Sequence, residues 1–246
     1  GNVTDTAGNH YGVQMMFWQY ALLPAAFARK HGLSEIENQV VEIHLAIGDE
    51  SAGIHYSANT VLVAGTTGLI DFTPAPYTYT VGRNSIQGTD PSGAMFPLRL
   101  QARGWDMGKN SGLEMEIDIS LEDQKGYFLQ GEDGCWPSVD GVGTLYYSAS
   151  SLGLKTDTPS FLRIGDRKVD LAGGSMWYDH QWGTGFMPSG APRHAVMRAV
   201  QNLTEPAPGG WDWFMFQFPV DERIGLKREV ALTLSDPFVI SRHGDD

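Results

Sequence analysis

The sequence holds one cysteine, Cys135, in 246 residues. An internal disulfide is excluded, and so is a zinc site built on cysteines. Basic residues are scarce. Seventeen Lys and Arg stand against 29 Asp and Glu, giving a formal net charge of −12. No Lys/Arg cluster is present to neutralise phosphates, which argues against nucleic acid and anionic membrane surfaces as partners. A membrane surface is left only as a reservoir of small apolar molecules. No apolar run approaches the ~20 residues needed to span a bilayer. The seven histidines (His10, His31, His44, His55, His180, His194 and His243) form no H-x-H or H-x-x-x-H pair, so spacing supports no metal site. A G-x-S-x-G elbow is missing, and no glycine cluster sits between a strand and a long helix. Neither a serine triad of the hydrolase type nor a dinucleotide site is supported. Cys135 lies beside Glu132 and Asp133, whose charges disfavour a reactive thiolate.

What is abundant points to strands. The chain carries 30 Gly, 13 Pro and 11% aromatic residues, a profile that suits short strands joined by many turns. Period-2 alternation dominates. In "LEMEIDISL", Leu113, Met115, Ile117, Ile119 and Leu121 share one face, and Glu114, Glu116, Asp118 and Ser120 the other. This predicts a half-exposed antiparallel strand. "VVEIHLAI" alternates likewise. "YGVQMMFWQYAL" is apolar on both faces and predicts a strand buried on two sides. "GWDWFMFQF" and "REVALTLS" are further strands. "PAAFARKHG", with Pro24 at its start and Gly32 as its stop, predicts one short connecting helix. Strand–helix alternation is absent, so the predicted class is antiparallel all-β, a barrel or sandwich. Two glycosylation sequons, at Asn2 and Asn202, lean towards a secreted or periplasmic location.

Two stretches place titratable groups among large aromatics, where they need a partner or a task. In "SMWYDHQWG", alternation sends Met176, Tyr178, His180 and Trp182 to one side, and Trp177, Asp179 and Gln181 to the other. His180 is then either a hydrogen-bonded core histidine or the titratable end of an aromatic wall. Asp179 does not meet His180 along the strand and is expected to accept hydrogen bonds on the opposite face. In "GGWDWFMFQF", Asp212 shares a side with Phe214, Phe216 and Phe218, while Trp211 and Trp213 share the other. Desolvation there favours the neutral acid, which suits a general acid. The alternative is a sheet-edge Asp that takes backbone hydrogen bonds after the "PAPGG" turn.

"YGVQMMFWQYAL", "QGEDGCWPS", "GTLYYSAS", "MWYDHQWG" and "GGWDWFMFQF" occur in an order that resembles the lipocalin-like family of carotenoid hydratases. That family takes in fungal kievitone hydratase, AttH-type bacterial proteins and, more distantly, fungal Diels–Alderases. The resemblance covers most of the chain. It implies a lipocalin-like fold around an apolar cavity, one part of a two-barrel protein, and cofactor-independent chemistry on a small apolar molecule. In such hydratases an acid protonates an alkene and water captures the cation, which aromatic faces can stabilise. The family's His-x-Trp pair falls on His180 and Trp182, and its later acid on Asp212. Carotenoid hydratases also place a Tyr just ahead of that acid. Here Gly210 and Trp211 stand there, and Tyr178 is the candidate to supply a phenol instead. Gln14, His44, Gln130 and Tyr147 are carried by the family segments as possible cavity-lining residues, with Trp177, Asp179, Trp211, Trp213 and Phe214 beside the site. The chain ends about one hairpin after the W-D-W block. It is therefore expected to be one lipocalin-like β domain over 1–246, with the second barrel largely absent. The first functional expectation is an alkene hydratase or lyase acting on a terpenoid or polyketide. The alternatives are a pericyclase that folds a polyene, and an AttH-like carrier of lipophilic ligands.

Overall fold

The computed structural model describes residues 1–63, 68–109, 112–131, 133–137, 143–183, 211–221, 223 and 226–235. It does not describe the side chains of 135–137, 143–144, 211–214, 219–221, 226–229 and 231–235. Among these residues the chain forms sixteen strands and one helix, numbered in chain order. They are β1 (Asn2–Asp5), β2 (His10–Ala21), α1 (Ala25–Lys30), β3 (Gln39–Asp49), β4 (Ile54–Val63), β5 (Ile70–Pro74), β6 (Tyr77–Val81), β7 (Asn84–Gly88) and β8 (Leu98–Trp105), followed by β9 (Glu114–Asp123), β10 (Tyr127–Leu129), β11 (Cys135–Pro137), β12 (Gly143–Leu154), β13 (Phe161–Ile164), β14 (Arg167–Gly183), β15 (Trp211–Asp221) and β16 (Leu226–Ser235). The described pairings are antiparallel, as the turn-rich, alternating sequence predicts. No helix among the described residues is long and apolar enough to cross a membrane.

The contacts divide the chain into two compact units. The first comprises Gly1–Lys125 and Ser151–Trp177; the second comprises Gly126–Ser150 and Tyr178–Asp246. In the first unit, β4, β3, β2 and β1 pair in sequence, and β1 continues onto β14. β13 joins β14 to β9, and β8, β7, β6 and β5 follow. Alternation explains which face turns inward. Val41, Ile43, Leu45 and Ile47 of β3 are buried, as are Met115, Ile117, Ile119 and Leu121 of β9. Each such side chain contributes roughly 1.5–3 kcal/mol by leaving water. The sheet curls so that β8 and β4 approach across the core. A Cβ on Gly104 would lie 2.5 Å from the Cβ of Ala58, so only glycine permits this approach. β5 and β6 pack onto β2 and β3 through Val41, Ile43, Ile70, Tyr79 and Val81. The Tyr79 hydroxyl donates to Gln19 Oε1 at 2.8 Å, and burial pushes its pKa up to about 12.

Two expectations need correction. β9 is not half-exposed, because Glu116, Asp118 and Ser120 are buried as well. Arg99 grips Asp118 through Nε and Nη2 at 2.8 and 2.7 Å, and Gln101 adds a bond at 2.9 Å. Arg103 and Arg163 hold the two oxygens of Glu116 at 2.6 and 3.1 Å. Long arginine stems thus cover the polar face. β2 is not buried on two sides. Val13 and Tyr11 turn inward, but Gln14, Gln19 and Tyr20 are exposed and Trp18 is half-buried, with the Trp18 and Tyr20 rings stacked at 6.3 Å. The outward face of β2 is therefore partly exposed, with Met16 and Trp18 half-buried. The helix forms where predicted. Pro24 caps its start, and Arg29 and Lys30 occupy its last turn, where cations suit the carbonyl end.

Candidate functional site

The second unit gathers the chemistry. Residues 178–183 of β14 belong to it and lie beside β12 in the sheet order. β10 pairs with β12 on another side, with Leu129 opposite Tyr147 and Tyr127 opposite Ala149. Paired residues share a face, so Tyr127, Leu129 and Tyr147 project together. The Tyr147 ring is the hub. It meets Tyr127 at 5.9 Å, His180 at 5.3 Å, Trp182 at 6.0 Å and Tyr178 at 6.2 Å between ring centres. His180 and Trp182 are 4.9 Å apart. The alternation read from "SMWYDHQWG" holds here, because Tyr178, His180 and Trp182 all reach the same tyrosine.

A polar contact joins two members of this aromatic group. His180 Nδ1 is 3.1 Å from the Tyr147 hydroxyl. Burial lowers the pKa of His180 below its usual value, so the ring is neutral near pH 7. Its Nε2 carries no hydrogen bond among the described residues. If Nδ1–H donates to the phenol oxygen, Nε2 is left with a lone pair and can accept a proton. The group is open to solvent on one side: Tyr127 is 69% exposed, Leu129 54% and Trp182 46%. An apolar molecule can therefore reach the rings without unfolding the site.

The opposite face of the same two strands is polar. Ser148 is fully buried, and its hydroxyl donates to Asp179 Oδ1. It also accepts a bond from Gln130 Nε2 at 2.9 Å. Asp179 is thus held away from His180, on the face that alternation assigns it. Gln130 is also fixed through its backbone, which donates to Tyr146 O at 3.0 Å. This chain of three groups locks the position of β14 against β12, and with it the aim of His180.

The remaining predicted residues fall elsewhere or outside the described atoms. Gln14 and His44 belong to the first unit and lie on the outward face of β2 and β3. His44 Nε2 contacts Glu42 Oε1 at 2.8 Å, and Asn59 donates to the same oxygen at 2.7 Å. The structure therefore brings His44 to a surface cluster. Trp177 is half-buried and closes the first unit's segment. Asp212 lies on β15 opposite Leu234, with Trp211 opposite Ser235 and Trp213 opposite Thr233. The side chains of Trp211, Asp212, Trp213 and Phe214 lie outside the described atoms, as does that of Cys135. Further along β15, Phe216 and Phe218 stack at 6.5 Å, and Gln217 Nε2 donates to Ser150 O at 2.5 Å. Among the described residues, no group of three His, Cys, Asp or Glu side chains is placed to hold a metal. Tyr127, Leu129 and Ser148 were not predicted. The alternation of "YFL" just ahead of Gln130 carried the signal for the first two.

The profile of the AttH-like family matches residues 1–228. The chain belongs to the AttH-like family. Two solved structures resemble this AttH-like chain. One is a protein described as a putative AttH from Nitrosomonas europaea, with a TM-score of 0.59 at 16% identity over 87% of the chain. The other is kievitone hydratase from Nectria haematococca, with a TM-score of 0.51 at 15% identity over 96% of the chain. The AttH-like chain spans 53% and 60% of the lengths of these two proteins. The likenesses support the antiparallel, lipocalin-like β-fold. No curated protein matches.

Proposed function

We propose that the chain is a cofactor-independent hydratase-type enzyme for a small apolar alkene, acting at the Tyr147–His180–Trp182 group. One observation carries the reading: a histidine held neutral by burial, bonded to a phenol at 3.1 Å, inside a ring of aromatic faces open on one side. The resemblance to a hydratase in fold adds to it.

Asp212, the acid expected from the sequence, gives its proton to one alkene carbon. The π electrons form the new C–H bond and leave a cation on the neighbouring carbon. The faces of Trp182 and Tyr178 stabilise that cation by roughly 0.5–2 kcal/mol each. Water adds its oxygen to the cation, and His180 Nε2 takes the surplus proton. Tyr147 stabilises the resulting imidazolium by accepting from Nδ1–H. Return of the proton through solvent to the Asp212 carboxylate closes the cycle.

The test is incubation of the chain with kievitone and with an acyclic isoprenoid alkene in heavy-oxygen water. The expected product is heavier by one water and carries the solvent's oxygen. Tight binding of both probes without any product would favour the carrier reading and count against hydration. A product of unchanged mass with a new ring would favour the cyclase reading.

A further inference from the structure

A groove of about 420 Å³ is lined by Arg83, Gln101, Ala102, Arg103, Glu116 and Ile117. Its shape follows from strand register. Gln101 faces Asp118 and Arg103 faces Glu116 across β8 and β9, with the Ala102–Ile117 pair between them. The side chains of Ala102 and Ile117 turn into the core, so the backbone of that pair forms the floor. The two polar rows form walls. Gly82, at φ +60°, turns the chain tightly between β6 and β7 and sets Arg83 at the groove's end. The Asn84 side chain then ties that turn to β8 by accepting from Arg103 N at 2.8 Å.

The charges here differ from those of the whole chain. The net charge is −12, yet this face sets Arg83, Arg99, Arg103, Arg163 and Lys168 against Glu114, Glu116, Asp118, Glu122 and Asp170, so cations and anions balance. Asp118 is committed to Arg99 and Gln101. Glu116 serves two arginines at once. Its carboxylate is thus neutralised and repels little. Arg83 is 75% exposed, and its one described partner, Glu114, is 3.6 Å away. That leaves most of a rigid five-donor fork directed at solvent beside the groove, the geometry that matches two oxygens of one anion.

We propose that this groove binds the oxyanion group of a small molecule, a carboxylate or a phosphate, with Arg83 as the principal contact and Arg103 behind it. Arg83 supplies the bidentate bond, the Gln101 side chain, itself bonded to Asp118, completes the wall, and the balanced charge of this face repels an anion less than the rest of an acidic surface.

The experiment is a titration of the full chain with acetate and with inorganic phosphate, following the arginine Nε–Hε resonances by NMR at constant ionic strength. The Arg83 and Arg103 signals should shift and saturate with at least one of the two anions, but not with chloride. Saturation by acetate alone assigns a carboxylate; by phosphate alone, a phosphate ester. Arg83→Gln should weaken binding about tenfold or more, since a bidentate charged contact is lost. Lys168→Gln, on the same face but paired with Asp170, should leave it unchanged. Arg83 is largely exposed in a turn, so its variant should fold, and unchanged amide signals of Ala102 and Ile117 will confirm that. Absence of saturation with either anion, or equal weakening in both variants, would overturn the proposal.

Discussion

Replacing Glu116 by Gln removes a charge and almost no volume, which isolates the ionic contribution at the centre of the first unit. Glu116 joins three strands. It sits on β9, accepts from Arg103 of β8 at 2.6 Å, and accepts from Arg163 of β13 at 3.1 Å. Its own side chain is 12% exposed, while the two arginines are 44% and 40% exposed. A charge-assisted hydrogen bond contributes about 1.5–3 kcal/mol when desolvated. Both arginines can regain water, so the two bonds together should be discounted to about 2 kcal/mol. A shift of that size lowers the midpoint of thermal unfolding by about 4–8 °C for a domain of this size. With two units the chain need not unfold in one step, so a local probe is preferable. Hydrogen exchange at the amides of Ile117 and Ile119 reads the first unit directly. The cycle with Arg163→Gln then separates the pair's coupling from each single effect. A loss below about 0.5 kcal/mol, or full additivity of the two changes, would refute the claim that this clamp holds β9 between β8 and β13.

Three further outcomes are expected. Gly104→Ala should destabilise the first unit by about 1–3 kcal/mol, because the new methyl would meet Ala58; Ala58→Gly added to it should recover part of the loss, as read from denaturant midpoints. His180 is bound neutral below its ordinary pKa of 6.5, so the unfolded chain takes up a proton first as pH falls. Its stability contribution is therefore complete above 6.5 and is lost as pH drops towards the lower folded value; in His180→Phe, denaturant midpoints should not show this part of the decline. Asp212→Asn should abolish turnover and leave the circular dichroism spectrum unchanged. Undiminished turnover in that variant would remove Asp212 from the mechanism.

The fold was legible where one face of a strand meets a core and the other meets water. β3 is the clear case, with Val41, Ile43, Leu45 and Ile47 inward and Glu42 and His44 outward. It was misread where a partner from a distant strand decides burial. The carboxylates of β9 look like a wet face in sequence, yet Arg163, 47 residues away, helps cover them. In β2 the apolar pattern on both faces says nothing of whether a second layer exists to cover the outer one. The site divides the same way. Alternation placed Tyr178, His180 and Trp182 together, because that is local. It could not show that Tyr147, 33 residues before His180, is its hydrogen-bond partner. The Ser148 link to Asp179 was hidden for the same reason, since a small hydroxyl carries no pattern of its own.

The central claim is that His180 does chemistry rather than packing. Its most direct test is turnover and binding of the same alkene probe by the parent chain and by His180→Gln, which keeps a polar side chain of similar reach. The account predicts loss of hydrated product with probe affinity retained. Equal rates of hydration in the two proteins would contradict it.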